Sequence, residues 1–139
     1  MSPLSFAGTT KAANAPDIGE GIFEAEFIGV EAKVLEESRF DPEVYIWSFH
    51  LFDEDGDLIR HEGEALVVDR LTSRSLNVNS KTVPGAVKVL KALMTKAEFA
   101  SFSEGGAIDA SSLDKRRVKA VVTIRESGWP TIADVVKKT

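Results

Sequence analysis

Cysteine is absent from the 139 residues, which excludes a disulfide framework, thiolate chemistry and a thiolate zinc site. Histidine occurs only at His50 and His61, so a His-rich metal centre is not expected. No apolar run approaches the roughly 18 residues that cross a bilayer. The N-terminus has neither the basic start nor the apolar core of a signal peptide. With no membrane partner and no disulfides, the simplest compartment is the cytoplasm. There is no P-loop, no G-x-G-x-x-G pattern and no G-x-S-x-G elbow, and Gly105-Gly106 is too short to cradle phosphates. Carboxylates are plentiful, but no pair sits in an apolar setting that would raise a pKa for acid catalysis. The expectation is therefore a protein without catalysis, without a cofactor and without a metal site.

What is present is globular in character. Hydrophobic residues make up 43% and charged residues 28%, enough for one domain with a sizeable core. The net charge is −5, but its distribution is uneven. From Asp17 to Glu43 there are nine acids and two bases, and from Asp53 to Asp69 seven acids and one base. From Arg70 to Lys96 there are six bases and no acid, and from Lys115 to Thr139 seven bases and two acids. A folded domain of this kind can carry two faces of opposite sign, the basic one hidden by the overall charge.

Met1 to Pro16 is rich in Ser, Thr, Ala, Gly and Pro without a period, and is expected to be a flexible arm (1–16) ahead of a domain over 17–139. Gly21 to Glu36 reads as a long strand. Phe23, Ala25 and Phe27 share one face, and after Ile28-Gly29 the apolar set switches to Val30, Ala32 and Val34, which predicts a β-bulge. Val44 to Asp53 alternates most clearly. Tyr45, Trp47, Phe49 and Leu51 lie on one face and Val44, Ile46, Ser48, His50 and Phe52 on the other, and either face can be the core. Asp55-Gly56 signals a tight turn. Leu58 to Arg70 is expected as the third strand, with Leu66, Val67 and Val68 its most buried part and Gly63 a bend or bulge.

Thr72 to Lys81 reads as a loop. Val83, Ala86, Val87, Leu90, Leu93 and Met94 then form one helical stripe, with Thr82 the expected N-cap and Pro84 in the first turn. Lys88, Lys91 and Thr95 are expected at the surface. Thr95 and Glu98 have capping-box spacing, which predicts a second short helix over Ala97 to Phe102, ended by Gly105-Gly106. Arg117 to Glu126 alternates, with Val118, Ala120, Val122 and Ile124 on one side. Ser127-Gly128 turns the chain into a last strand, Trp129 to Val136, with Ile132 and Val135 buried.

Three strands, a helix and two strands, with a bent first strand, is the OB-fold arrangement. The expected fold is mainly β: an OB-fold-like five-stranded β-barrel with a helix between strands 3 and 4. The segments Gly21-Ile22-Phe23, Tyr45 to Leu51 running into Asp53-Glu54-Asp55-Gly56, Leu90-Lys91-Ala92-Leu93, Arg117 to Val122 and Ser127 to Val135 resemble small bacteriophage OB-fold proteins of the single-stranded-DNA-binding type. The resemblance covers roughly Gly21 to Val136 and includes no catalytic signature. It implies binding of single-stranded DNA in phage DNA replication or recombination, in the host cytoplasm.

Single-strand binders follow phosphates with a basic groove and stack bases on aromatic faces. Trp47 and Phe49 match the usual stacking position, with the core as the competing reading for each. Trp129, in the hairpin between strands four and five, is another candidate contact. Arg60, Arg70, Arg74, Lys81, Arg117, Lys119 and Arg125 are the candidate phosphate contacts, against the ordinary reading of solvated surface charges. The third strand has no aromatic residue, and the chain's end lacks the acidic, Phe-ended tail of bacterial single-strand-binding proteins.

Asp53, Asp55 and Asp57 suggest a calcium loop, but Gly56 is two residues early for an EF-hand and the flanks read as strands, so a hairpin turn is expected. His50 and His61, with Glu62 or Glu64, form a conceivable but weak two-His site. The rival to nucleic-acid binding is a protein-interaction or structural accessory module, such as a phage assembly component or an inhibitor of a host factor, whose acidic Asp17 to Glu43 region docks on a basic partner. A homo-oligomer is compatible with either, because small barrels expose edge strands.

Overall fold

The computed structural model describes residues 15–35 and 43–138. Of these, 44% are strand and 18% helix, so the fold is mainly β. The strands are β1 (Gly21–Val34), β2 (Glu43–Phe52), β3 (Arg60–His61), β4 (Glu64–Ala65), β5 (Val67–Ser73), β6 (Arg117–Ile124) and β7 (Pro130–Lys137). Helices α1 (Gly85–Leu93) and α2 (Lys96–Ser103) and a 3-10 turn (Ala110–Leu113) lie between β5 and β6. The long strands form one antiparallel sheet in the order β5-β2-β1-β6-β7, while β3 and β4 form a separate small hairpin. β5 and β7 lie against each other, and the Thr131 hydroxyl donates to the Asp69 carbonyl at 3.2 Å. The sheet thus curls until its outer strands touch, but among the described residues no backbone ladder joins them.

The curl has a local cause in β1. The register with β2 shifts between Phe27 and Gly29, placing the expected bulge at Ile28. Before the bulge Ala25 and Phe27 are buried; beyond it Val30 still packs on the core, while Ala32 and Val34 are exposed because the strand runs on past the core. A second bulge in β7, where Val121 faces Asp134 and Val122 faces Ile132, leaves Ala133 extra. That extra residue turns Ile132 and Val135, three apart, to the same buried side.

The alternation of β2 resolves in favour of the Trp47, Phe49 and Leu51 face, which lies in the core. Phe27 joins Phe49 and Trp47 at ring-centroid distances of 5.6 and 6.2 Å. Each such aromatic contributes on the order of 1.5–3 kcal/mol when fully buried. Ala86, Val89, Leu90, Leu93 and Met94 of the α1 segment close the core over the sheet. Val83 is exposed instead, because the helix begins two residues later than expected with Pro84 at its N-cap and no side-chain cap from Thr82. The second helix is as expected: Thr95 accepts from the Glu98 N–H, and Glu98 accepts from the Thr95 N–H.

The third strand departs from expectation. Asp53 caps the Asp55-Gly56 turn by accepting from the Asp55 and Asp57 N–H groups. The chain then touches β2 only through a single bridge between Leu58 and Phe52 and the Ile59 N–H on the Leu51 carbonyl, makes a second hairpin at Glu62-Gly63, and joins β2 in a continuous ladder from Val67. Both turn residues have positive φ, 53° and 84°, so Gly63 marks a reversal and not a bend. The strand runs on to Ser73, which moves Thr72 from the expected loop into a buried ladder position. Val67 is 47% exposed between buried Leu66 and Val68, because the segment is a two-sided strand and not a fully buried run. Of the expected N-terminal arm, residues 1–14 lie outside the described residues, and Pro16 is buried against the domain. The expected end of the first strand at Glu36 also lies outside them.

Candidate nucleic-acid interface

A base stacks only on an accessible ring face, and Trp47 and Phe49 offer none. Trp47 is 3% exposed and Phe49 0%. The Trp47 indole N–H donates to the Thr72 hydroxyl at 2.8 Å, and that hydroxyl donates to the Ser73 carbonyl. Both residues are structural, so the expected stacking position on β2 is corrected. Strand parity is the reason: the alternating aromatic face is the one that faces α1. On the outer face, Ser48 donates to the Asp69 carboxylate at 2.8 Å, and His50 stands opposite Glu26.

Several candidate cations are engaged elsewhere. Arg117 reaches Glu24 at 3.1 Å and Glu26 at 3.3 Å, and its guanidinium lies 3.8 Å from the Phe52 ring centroid. Lys138 also pairs with Glu24. The Lys138 hydrogen bond, with the charge of Arg117, holds the Glu24 carboxyl below its ordinary value. Arg74 spans the Val44 and Lys33 carbonyls at 3.3 and 3.1 Å and lies near Glu43 and the Tyr45 ring. These contacts tie β2 to the far end of β1. Lys81 is exposed ahead of α1, and Lys119 is exposed on β6 along a cleft it shares with Glu20, Glu24 and Lys138. Arg70 lies against the start of α1, where a Cβ on Gly85 would stand 3.3 Å from its guanidinium.

One end of the sheet brings the remaining candidates together. The β3–β4 hairpin carries exposed Arg60 and half-buried His61, and the β6–β7 hairpin carries Arg125 and half-buried Trp129. His61 meets Trp129 edge-on, with centroids 5.6 Å apart and planes at 87°. The Arg125 N–H donates to the Trp129 carbonyl at 2.9 Å, closing the hairpin, and its guanidinium donates to the Thr131 hydroxyl at 3.2 Å. Thr131 in turn holds the Asp69 carbonyl, next to Arg70. The result is a partly exposed aromatic pair with arginines on the same two hairpins. Arg117 and Lys119 are on β6, roughly 26 and 20 Å before Arg125, which follows the end of that strand.

The sequence pattern points to His61 only as a metal ligand. Among the described residues no cluster of three or more His, Asp or Glu could hold a metal ion. Its place beside Trp129 depends on the Glu62-Gly63 reversal, for which Gly63, free to take a positive φ, is the signal in the sequence. No protein-family model, no curated protein and no solved structure matches this chain.

Proposed function

We propose that the chain is an OB-fold protein that binds single-stranded nucleic acid without catalysis, in phage-type DNA replication or recombination. The strand order supports the fold: β1 sits between β2 and β6, the third long strand meets the last, and the helices fall between β5 and β6. The observation that carries the binding role is the partly exposed Trp129–His61 pair flanked by Arg60 and Arg125. Stacking on such a pair is sequence-tolerant, because every base has a π-face.

The test is fluorescence anisotropy of labelled oligo-dT against the full chain, with duplex DNA as control. If Arg60, Arg70 and Arg125 each meet a phosphate, log K falls with log salt at a slope near −2 for a single strand. Affinity then drops roughly 20-fold between about 50 and about 200 mM salt. No binding at the lower salt sinks the proposal.

The second reading is a protein-interaction or structural accessory module. It draws on the acidic Asp17 to Glu43 region, in which Asp17, Glu20 and Glu31 are exposed, and it predicts no oligo-dT binding with retrieval of one basic partner.

A further inference from the structure

A groove of about 570 Å³ runs between α1, α2 and the C-terminal half of β7. Its floor is apolar: Ala92, Met94, Phe99, Ala100 and Val135 line it, and Val136 is 42% exposed at its side. Lys88, Lys91, Lys96 and Lys137 surround that floor, and among the described residues Asp134 is the one carboxylate lining it. Asp134 is already engaged, accepting from the Val135 N–H at 2.9 Å. Two lysines are held in place by the groove's own walls. Lys137 donates to the Met94 carbonyl at 3.1 Å, and the Lys91 ammonium lies 5.7 Å from the Phe99 ring centroid. Lys88 and Lys96 are exposed.

The chain as a whole carries −5, so four lysines against one occupied carboxylate is a local reversal of sign. It gathers three of the six bases of the acid-free Arg70 to Lys96 stretch, together with Lys137, onto one apolar surface. The nucleic-acid candidate residues are elsewhere: Trp129 lies six residues before Val135, roughly 20 Å along the strand. A phosphate backbone needs cations but no apolar floor, whereas this groove combines both. β7 is moreover an outermost strand of the sheet, paired on one side by β6. Grooves of this composition bind segments that bring opposite charge and apolar anchors together.

We propose that this groove docks an acidic segment of a partner protein, its carboxylates meeting the lysine rim and its apolar side chains entering the floor. The proposal is independent of nucleic-acid binding at the Trp129 end.

The experiment is an amide NMR titration of the full chain with a peptide of repeated Asp-Asp-Leu-Phe units, to about 1 mM so that weak affinity is still read. Saturable shifts confined to Lys88–Ala100 and Asp134–Lys137 are expected. The double substitution Lys88→Glu with Lys91→Glu, both exposed, should weaken the peptide about tenfold or more and leave oligo-dT anisotropy unchanged. Val136→Ser reads the apolar contribution separately and should weaken the peptide without altering charge. Absence of shifts in the folded wild type overturns the proposal. So do equal shifts with an Asp-Gly-Asp-Ser peptide, which lacks the anchors, or binding of laurate or oligo-dT at these amides where the peptide has no effect.

Discussion

The two tryptophans should separate stability from binding. Trp47→Phe removes a buried indole and its hydrogen bond to Thr72, which keeps its own donation to Ser73 at 2.9 Å. The lost bond costs about 1 kcal/mol, and the space left by the smaller ring adds about 1 kcal/mol or more. The sum, about 2–3 kcal/mol, lowers a urea midpoint by roughly 1–1.5 M for an m-value near 2 kcal/mol/M. Oligo-dT affinity of the folded protein should not change, because only 3% of Trp47 is exposed. Trp129→Ala should do the reverse. Its half-exposed ring contributes less to the core, and loss of one stacked base costs about 1–3 kcal/mol of binding, five-fold to more than a hundred-fold in affinity. Because the chain has two tryptophans, acrylamide quenching of each single-tryptophan variant reports which one is accessible. If Trp47→Phe keeps its urea midpoint and loses oligo-dT binding, both the packing of β2 and the location of the interface are wrong.

Glu98 accepts from the Thr95 N–H and pairs bidentately with Arg116, fastening α2 to the segment that enters β6. Chiefly the Arg116 hydrogen bond lowers its carboxyl from 4.5 to about 2. A depressed folded pKa gives stability that is complete above the ordinary value and lost as pH falls from about 4.5 toward 2. Urea midpoints across that acid range should fall in the wild type and fall less in Glu98→Gln; parallel curves would refute the assignment. Gly63→Ala places a Cβ at φ 84° and should cost about 1–2 kcal/mol in urea unfolding. It should also weaken oligo-dT binding, since that turn sets His61 beside Trp129; an unchanged affinity would detach the hairpin from the interface. Arg125→Ala should reduce oligo-dT affinity and flatten its salt slope by about 0.7. Arg117→Ala should change neither by more than about twofold, because Glu24 and Glu26 already neutralise it. Equal losses from the two would place the phosphate path along β6.

Short-range signals were sufficient for most of the elements. The alternation of Val44 to Phe52, the parity switch at Ile28-Gly29, the Thr95 and Glu98 capping box and the turns at Gly56 and Gly128 are all encoded within a few residues. The sequence showed a pattern of two faces in β2 but contained nothing to say which would meet α1, because burial depends on a helix some 40 residues away. That choice put Trp47 and Phe49 in the core and removed them as stacking residues. The third strand is not legible in the sequence because Leu66, Val67 and Val68 are apolar alike, and only pairing with β2 decides that Val67 faces out.

Charge was legible as a run along the chain but not as a surface. Arg74, Arg116 and Arg117 look like free cations until the strands bring Glu43, Glu98, Glu24 and Glu26 against them across 18 to 93 residues of sequence. The same folding gathers Lys88, Lys91, Lys96 and Lys137 around one groove and His61 beside Trp129. Local propensity and period therefore determined most of the strands, helices and turns outside the Leu58 to Ser73 segment, since those depend on backbone sterics and neighbouring side chains. Tertiary structure alone decided which aromatics are core, which cations remain uncompensated and which surfaces exist, because each of these is set by residues distant in the chain.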